Sequence, residues 1–273
     1  MDHDYFGEDV AARYDDTSQE PFEAATITAA VDLLAELAGQ RDVASRRDLA
    51  GRRDLASRRD LAGAAPSPGG RALELGIGTG RIALPLAARG VEVHGIDLSQ
   101  AMVDRLRAKP GGGSIPVTIG SFATTTVDST FSLAYLVFNT IMNLTSQSAQ
   151  VACFRAVAQH LEPGGCFVIE VMVPELQYLP PGRTVVPFEV SETRWGFDTY
   201  DIANQGVTSH HLEIVDGQAV TSSIPFRYVW PAELDLMAQL AGLRLRDRWA
   251  NWSRAPFTSD SLSHISVWER PPE

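Results

Sequence analysis

The sequence predicts an α/β protein whose core is a doubly wound sheet of seven strands, mostly parallel, with helices on both faces. Between residues 71 and 173, short apolar runs alternate with stretches of helical periodicity, the pattern of parallel strands joined by crossover helices. A glycine-rich turn follows the first apolar run. Between residues 174 and 230, several β-rich runs lie close together, which predicts an antiparallel β insertion after strand 5.

The composition limits the class of protein and its partners. The 273 residues are 44% hydrophobic, enough for a packed core, and the net charge is −11. An acidic chain repels phosphate backbones, so we expect no nucleic-acid partner. No apolar run approaches the roughly 20 residues of a membrane span, and the N-terminus lacks a signal-peptide pattern, so we expect a cytoplasmic protein without a membrane partner. A monomer and a homodimer are both left open.

The chain carries two cysteines, Cys153 and Cys166. Their spacing forms neither a disulfide framework nor a metal-binding motif, and no histidine or acidic cluster has metal-ligand spacing. We therefore expect two buried thiols in a reducing compartment and no metal site.

The first 70 residues are expected to form a helical cap and a linker. The cap is residues 1–40, because residues 22–38 carry apolar side chains at helical spacing. In the linker, residues 41–70, the pattern RRDLA recurs with a period of six. Six residues advance a helix by about 600°, so the leucines of successive copies fall on different faces and form no single buried stripe. We interpret the repeat as an exposed linker and leave its role open.

The remaining elements follow from alternation and turn residues. Residues 71–173 are expected to form a ligand-binding core with strands at 71–77, 91–97, 114–120, 131–139 and 165–173. Helices are expected between them at 79–89, 99–108 and 146–161. In the insertion, residues 174–230, strands are expected at 185–190, 193–203, 207–215 and 219–229. Residues 231–273 complete the core with a helix at 231–241 and strands at 243–250 and 263–270.

The glycine-rich turn is the first indication of a ligand. Gly76, Gly78 and Gly80 follow the first strand at a spacing of two, which lets the backbone turn tightly and approach a ligand. A dinucleotide-binding turn would need glycine where this chain has Arg81, so a nicotinamide-dependent oxidoreductase is disfavoured. Asp97 ends the second strand, 17 residues after Gly80, close to the spacing at which a carboxylate binds ribose hydroxyls. The alternative for Asp97 is a helix N-cap, a role that Ser99 fits better.

Three motifs resemble those of class I S-adenosylmethionine-dependent methyltransferases. LELGIGTGR is similar to motif I, HGIDLSQAMV to motif II, and HLEPGG to the turn before strand 5. The resemblance covers about residues 10–173, continues over 226–270, and is closest to small-molecule methyltransferases of bacterial secondary metabolism. It implies a Rossmann-like sheet, S-adenosylmethionine as cofactor, S-adenosylhomocysteine as product, and methyl transfer to O or N of a small-molecule metabolite.

The resemblance also implies roles for individual residues. The three glycines would line the methionine part of the cofactor with Glu74 nearby, and Asp97 would bind the ribose. Leu98 and Met102 would pack on the adenine. Tyr14 resembles the N-terminal tyrosine that reaches the cofactor carboxylate, and Arg81 is a second candidate for that contact.

The chain departs from the family pattern at the adenine. The family usually has an acidic residue after strand 3, where this chain has Ser121 and Phe122. A serine hydroxyl can accept the adenine amino proton more weakly, and Phe122 can stack on the ring or offer its backbone N–H.

The chemistry is expected at the carboxyl ends of the strands, where Phe138 and Asn139 would lie beside the cofactor methionine. The base candidates are His210 and His211, which as neighbours on a strand point to opposite faces. We favour His210, because it shares an apolar face with Leu212 and Ile214 that should cover the core. The alternative is a histidine without a catalytic role.

Aromatic side chains in and near the insertion could wall a pocket or simply belong to the core: Tyr178, Trp195, Tyr228 and Trp230. Two other functions stay open for the chain. One is a protein of this fold that does not transfer methyl groups, either a cyclase-like catalyst or a binding protein. The other is a protein or RNA methyltransferase.

Overall fold

A computed structural model describes residues 4–15, 23–50, 69–174, 176, 179–215 and 217–272. The described helices are α1 (Glu8–Arg13), α2 (Ala24–Ala50), α3 (Ala83–Ala88), α4 (Gln100–Ala108), α5 (Gln147–His160) and α6 (Pro231–Leu240). None of the described helices is long and apolar enough to cross a membrane. The aromatic candidate Tyr178 and most of the repeat lie outside the described residues.

The main sheet confirms the predicted fold class. Its strands are β1 (Gly69–Leu75), β2 (Val91–Asp97), β3 (Val117–Ile119), β4 (Phe131–Leu136), β5 (Leu161–Met172), β10 (Arg244–Trp249) and β11 (Ser263–Glu269). The strand order is β10-β11-β5-β4-β1-β2-β3, and β11 runs antiparallel to both of its neighbours. The order reverses direction between β1 and β4, and a ligand in an open α/β sheet binds at such a switch point.

The insertion is a separate antiparallel sheet. Its strands are β6 (Val185–Val190), β7 (Arg194–Asp201), β8 (Gly206–Val215) and β9 (Gln218–Arg227), paired in chain order. We call these four strands the inserted sheet. Residues 202–205 form the turn that joins β7 to β8, and Asp216, between β8 and β9, lies outside the described residues.

Some boundaries differ from the sequence prediction. Strand β3 is shorter than the predicted 114–120, because residues 112–114 form a 3-10 turn before it. Helix α2 continues to Ala50, beyond the predicted end at residue 38. Strand β5 begins at Leu161, ahead of the glycines at which it was expected to start.

The core forms two layers because successive residues of each central strand point to opposite faces. On one face, Leu73 and Phe167 pack with α5, α6 and the root of the inserted sheet. On the other face, Tyr135 and Leu133 pack with Leu34 of α2 and with α3. Both cysteines are buried free thiols, as predicted.

Deletion of residues 44–61 is expected to leave the melting temperature nearly unchanged. The six-residue period gives the repeat no continuous apolar stripe to bury, whereas the described part of α2 packs through residues 30–38. Thermal unfolding of the deleted and full-length proteins tests this directly. A drop in melting temperature of more than about 5 °C would show that the repeat is part of the packed fold.

Candidate active site

The glycine-rich turn after β1 is built from left-handed backbone. Gly76, Gly78 and Gly80 have φ angles of 71°, 55° and 80°, which side chains rarely tolerate. A Cβ on Gly76 would lie 2.6 Å from Thr140 Cγ2, whereas one on Gly78 would meet nothing closer than 3.4 Å. The turn therefore presents bare backbone at the end of β1.

Asp97 fixes this turn from the end of β2. Its Oδ2 accepts a hydrogen bond from the Gly78 N–H at 2.6 Å, and its Oδ1 accepts one from the Ser99 N–H at 2.8 Å. Burial raises the pKa of Asp97, and these backbone donors oppose the rise. A carboxylate oxygen can accept two hydrogen bonds, so each oxygen keeps acceptor capacity for a ligand hydroxyl. Ser99 is the N-cap of α4, accepting from the Met102 N–H, as predicted.

A cavity of about 400 Å³ opens at these residues. Ten of the predicted site residues line it: Tyr14, Gly76, Gly78, Asp97, Leu98, Met102, Ser121, Phe122, Phe138 and Asn139. Others on its wall were not predicted: Asp4, Tyr5, Phe6, Ser99, Thr140, Asn143, Leu144, Thr145, Ile224 and Phe226. Asp4, Tyr5 and Phe6 could have been predicted, because they lie in the same N-terminal segment as Tyr14.

The N-terminal segment, residues 4–15, is tied to the glycine-rich turn by the chain's only lysine. Lys109 Nζ lies 2.7 Å from Asp15 Oδ2 and donates to the Thr79 carbonyl at 2.8 Å. The Thr79 hydroxyl donates to Asp15 Oδ1 at 2.6 Å. These contacts hold Tyr14 on the wall of the cavity, where burial raises the pKa of its phenol.

Three residues expected on the cofactor do not line the cavity: Glu74, Gly80 and Arg81. Glu74 is buried behind the turn, where its Oε2 accepts from the Tyr135 hydroxyl at 2.8 Å. Gly80 faces Leu106, because a Cβ there would lie 2.3 Å from that side chain. The Arg81 guanidinium lies over the Phe138 ring at 5.3 Å, so it adjoins a cavity residue without lining the cavity itself.

Glu74→Gln is expected to remove a pH dependence of the unfolding free energy. Burial raises the pKa of Glu74 from 4.5 to about 8, so the folded chain holds this proton at pH 7 and the unfolded chain does not. The wild type should lose stability relative to Glu74→Gln as pH rises from 5 to 8, by at most about 1.4 kcal/mol per pH unit. Urea unfolding of the ligand-free proteins measures the difference, and parallel curves across this range would contradict it.

Phe138 and Asn139 follow β4 in an unusual conformation. Both have left-handed backbone, with φ angles of 55° and 61°, which costs free energy for residues other than glycine. Glu170 Oε2 accepts from the Phe138 N–H at 2.8 Å, and Asn139 Oδ1 accepts from the Met172 N–H at 2.7 Å. Residues of β5 thus hold Phe138 and Asn139 in this conformation. The side-chain oxygen of Asn139 is used in this contact, and its amide NH₂ remains to donate to a ligand.

A second cavity of about 150 Å³ lies under the inserted sheet. Asn139 and Phe226 line both cavities, so the two meet at the end of β4. Val207 and Ser209 of β8 line the second cavity and identify the inner face of the inserted sheet.

The prediction that His210, and not His211, lies on the core-facing side of the inserted sheet was wrong. His210 alternates with Val207 and Ser209, so it lies on the outer face. There it stacks on the half-exposed Phe197 at 4.8 Å, with its ring nitrogens near Thr199 and Ser223. His211 lies on the inner face without lining either cavity. The prediction took the more apolar face of β8 as the inner face. The inner face of the inserted sheet is partly polar because it lines a pocket.

Of the described aromatic candidates, Tyr228 lines the second cavity, whereas Trp195 and Trp230 line neither. Within the described ranges, no group of three His, Cys, Asp or Glu side chains is arranged to hold a metal ion.

The residues of the first cavity fit S-adenosylmethionine. Asp97 offers carboxylate oxygens to ribose hydroxyls, and Leu98, Met102 and Phe122 give apolar surface for adenine. Gly78 carries no side chain, and an added Cβ would come no closer than 3.4 Å to Met102, so the backbone of the turn can adjoin the methionine part.

Comparison with known proteins agrees with this geometry. Residues 72–165 match the family described as "Methyltransferase domain". The chain is 30% identical over 210 residues to the cypemycin N-terminal methyltransferase of Streptomyces sp, covering 75% of this chain and 85% of that protein. The solved CcbJ methyltransferase of Streptomyces caelestis is 32% identical with a TM-score of 0.77, and 98% of each chain is covered. The fold is shared with SAM-bound CalS10, an amino pentose methyltransferase of Micromonospora echinaspora, at 21% identity, a TM-score of 0.60 and 99% coverage of both chains.

Proposed function

This chain belongs to the class I S-adenosylmethionine-dependent methyltransferases, and from that premise we propose that it methylates O or N of a small-molecule metabolite. The observation that carries the proposal is the junction of the two cavities at Asn139 and Phe226. The larger cavity fits the cofactor, and we assign the smaller one to the acceptor. The name of the cypemycin relative specifies an N-terminus, which is an amine acceptor.

The size and setting of the second cavity support a small acceptor. Its volume of about 150 Å³ admits a compact group, and its apolar wall includes Met142, Met172 and Val207. We propose that the insertion, residues 174–230, covers the acceptor and that the N-terminal segment covers the cofactor. The net charge of −11 disfavours a nucleic-acid acceptor.

The bound cofactor supplies a methyl group on a sulfonium sulfur, which is already an activated leaving group. The protein therefore has to align the acceptor and exclude water. Asp97 would bind the ribose hydroxyls and Met102 the adenine, which sets the direction of the cofactor within the larger cavity. Asn139, at the junction, would orient the acceptor through its amide NH₂. The inserted sheet would exclude water from the acceptor side.

The test is transfer of isotope-labelled methyl from S-adenosylmethionine to a panel of small amines and alcohols. We expect label in a small-molecule product together with an equal amount of S-adenosylhomocysteine. Label that never leaves the cofactor would favour a cyclase-like or binding protein. Label found in protein or RNA from a cell extract, with none in small molecules, would favour a macromolecular acceptor.

We also propose a cytoplasmic location and a role in secondary metabolism. The absence of a spanning helix among the described helices agrees with that location. The name of the cypemycin methyltransferase, and the description of CalS10 as involved in calicheamicin biosynthesis, agree with a biosynthetic role. A monomer or a homodimer is expected, and light scattering distinguishes them.

A further inference from the structure

Asp198 in the second cavity has a carboxylate oxygen without a partner. Its Oδ1 atom is buried and has no hydrogen bond to any residue that the structure describes. Strand pairing places Asp198 directly opposite Ser209, and both line the cavity. A buried carboxylate oxygen left unpaired costs free energy, so the position favours a ligand that supplies a donor.

The groups around Asp198 shift the pKa of its carboxyl in opposite directions. Burial raises its pKa, and the Ser209 hydroxyl, His211 and His210 oppose the rise. Burial in turn lowers the pKa of His211, which keeps that histidine largely neutral near pH 7. A positive charge entering the cavity would face the Asp198 Oδ1 atom, which has no hydrogen-bond partner among the described residues.

Aromatic rings surround the same cavity. Tyr200, Phe226 and Tyr228 line it, and the rings of Tyr200 and Tyr228 lie 6.0 Å apart at 53°. Ring faces attract ammonium groups, and the attraction grows when water is excluded. A carboxylate beside three aromatic rings, in a pocket whose other lining is mostly apolar, suits a cation better than a neutral hydroxyl.

We propose that Asp198 binds the protonated amine of the acceptor, so that the substrate is a basic primary or secondary amine. This inference rests on the proposed function, because it assigns the second cavity to the acceptor. It makes Asp198 a specificity-determining residue that selects amines over alcohols of the same shape.

The methyl transfer balances with Asp198 in this position. The ammonium nitrogen gives one proton to the Asp198 carboxylate, which frees its lone pair. The lone pair forms the bond to the methyl carbon while the carbon–sulfur bond breaks, and the electron pair stays on sulfur in S-adenosylhomocysteine. The product leaves as an N-methylammonium ion, and Asp198 returns its proton to solvent.

The test measures binding of matched probes to the protein saturated with S-adenosylhomocysteine. The probes are cyclohexylamine with cyclohexanol and benzylamine with benzyl alcohol, titrated by calorimetry. The wild type should bind at least one amine about 10-fold or more tightly than its alcohol, and Asp198→Asn should abolish that preference. Glu192→Gln removes an exposed charge from the turn between β6 and β7 and should keep the preference.

Thermal unfolding separates this role from a structural one. Asp198→Asn should melt at the same or a higher temperature than the wild type, because it removes the charge of a half-buried carboxyl whose Oδ1 atom has no hydrogen-bond partner among the described residues. A lower melting temperature, a preference that survives Asp198→Asn, or no amine preference in the wild type would overturn the inference.

Labelled methyl transfer then distinguishes the two proposals. Methylation of alcohols alone would leave the proposed function standing and overturn the inference. Asp198-dependent amine binding without any methyl transfer would support the inference as a binding assignment while the proposed function fails.

Discussion

Asp97→Ala is expected to weaken binding of S-adenosylmethionine and S-adenosylhomocysteine by about 100-fold or more, since two charge-assisted hydrogen bonds contribute roughly 3 kcal/mol or more together. The substitution removes the proposed acceptor for both ribose hydroxyls. It also releases the Gly78 N–H, which the carboxylate holds at 2.6 Å, so the glycine-rich turn loses a fixed position. Calorimetric titration of both ligands measures the loss.

Two control variants show whether the loss of affinity is specific to the Asp97 carboxylate. Asp97→Asn keeps the shape of the side chain and should retain more affinity than Asp97→Ala, because an amide oxygen still accepts one hydrogen bond. Glu92→Ala removes an exposed acid from the same strand, 70% exposed at the side chain, and should bind as the wild type does. Affinity of Asp97→Ala within threefold of the wild type would contradict the assignment of Asp97 to the cofactor.

Arg227→Ala is expected to lower the free energy of unfolding by about 3–5 kcal/mol, the usual cost of breaking a buried ion pair. Arg227 is 5% exposed at the end of β9. Its guanidinium pairs with Glu233 of α6 at 2.7 Å and donates to Gln205 at 2.9 Å and to Gln150 of α5. This network connects β9 of the inserted sheet with α5 and α6, which pack on the main sheet. The substitution leaves the Glu233 carboxylate without its cation at this connection.

Urea unfolding of Arg227→Ala and of a matched control tests the network. Arg194→Ala breaks an exposed pair with Glu189 in the same inserted sheet and should cost less than about 1 kcal/mol. A loss below about 1 kcal/mol for Arg227→Ala would mean that the network does not stabilise this joint.

The main sheet was predictable because its signals are local. Apolar runs, the glycines at 76, 78 and 80, and Pro231 at the start of α6 each report the conformation of their own segment. Strand β3 begins later than predicted because a 3-10 turn precedes it, and helix α2 ends at Ala50 where the prediction ended it at residue 38.

The candidate site was predictable only in part. Residues on the strand ends, such as Asp97 and Asn139, fall on the cavity because strand polarity places them there. Alternation of side chains along each strand of the inserted sheet divides its residues between two faces. Which face lies toward the core depends on tertiary contacts, so the sequence did not identify it. For the same reason Asp198, which lines the second cavity together with Ser209 and Phe226 of other strands, was not among the predicted site residues.

The most direct test of the account is a crystal structure of the protein with S-adenosylhomocysteine. We expect the ribose hydroxyls on Asp97, the adenine among Leu98, Met102 and Phe122, and the sulfur directed toward Asn139 and the second cavity. A ligand bound elsewhere, or bound here with its sulfur directed away from Asn139, would contradict the assignment of the two cavities to cofactor and acceptor.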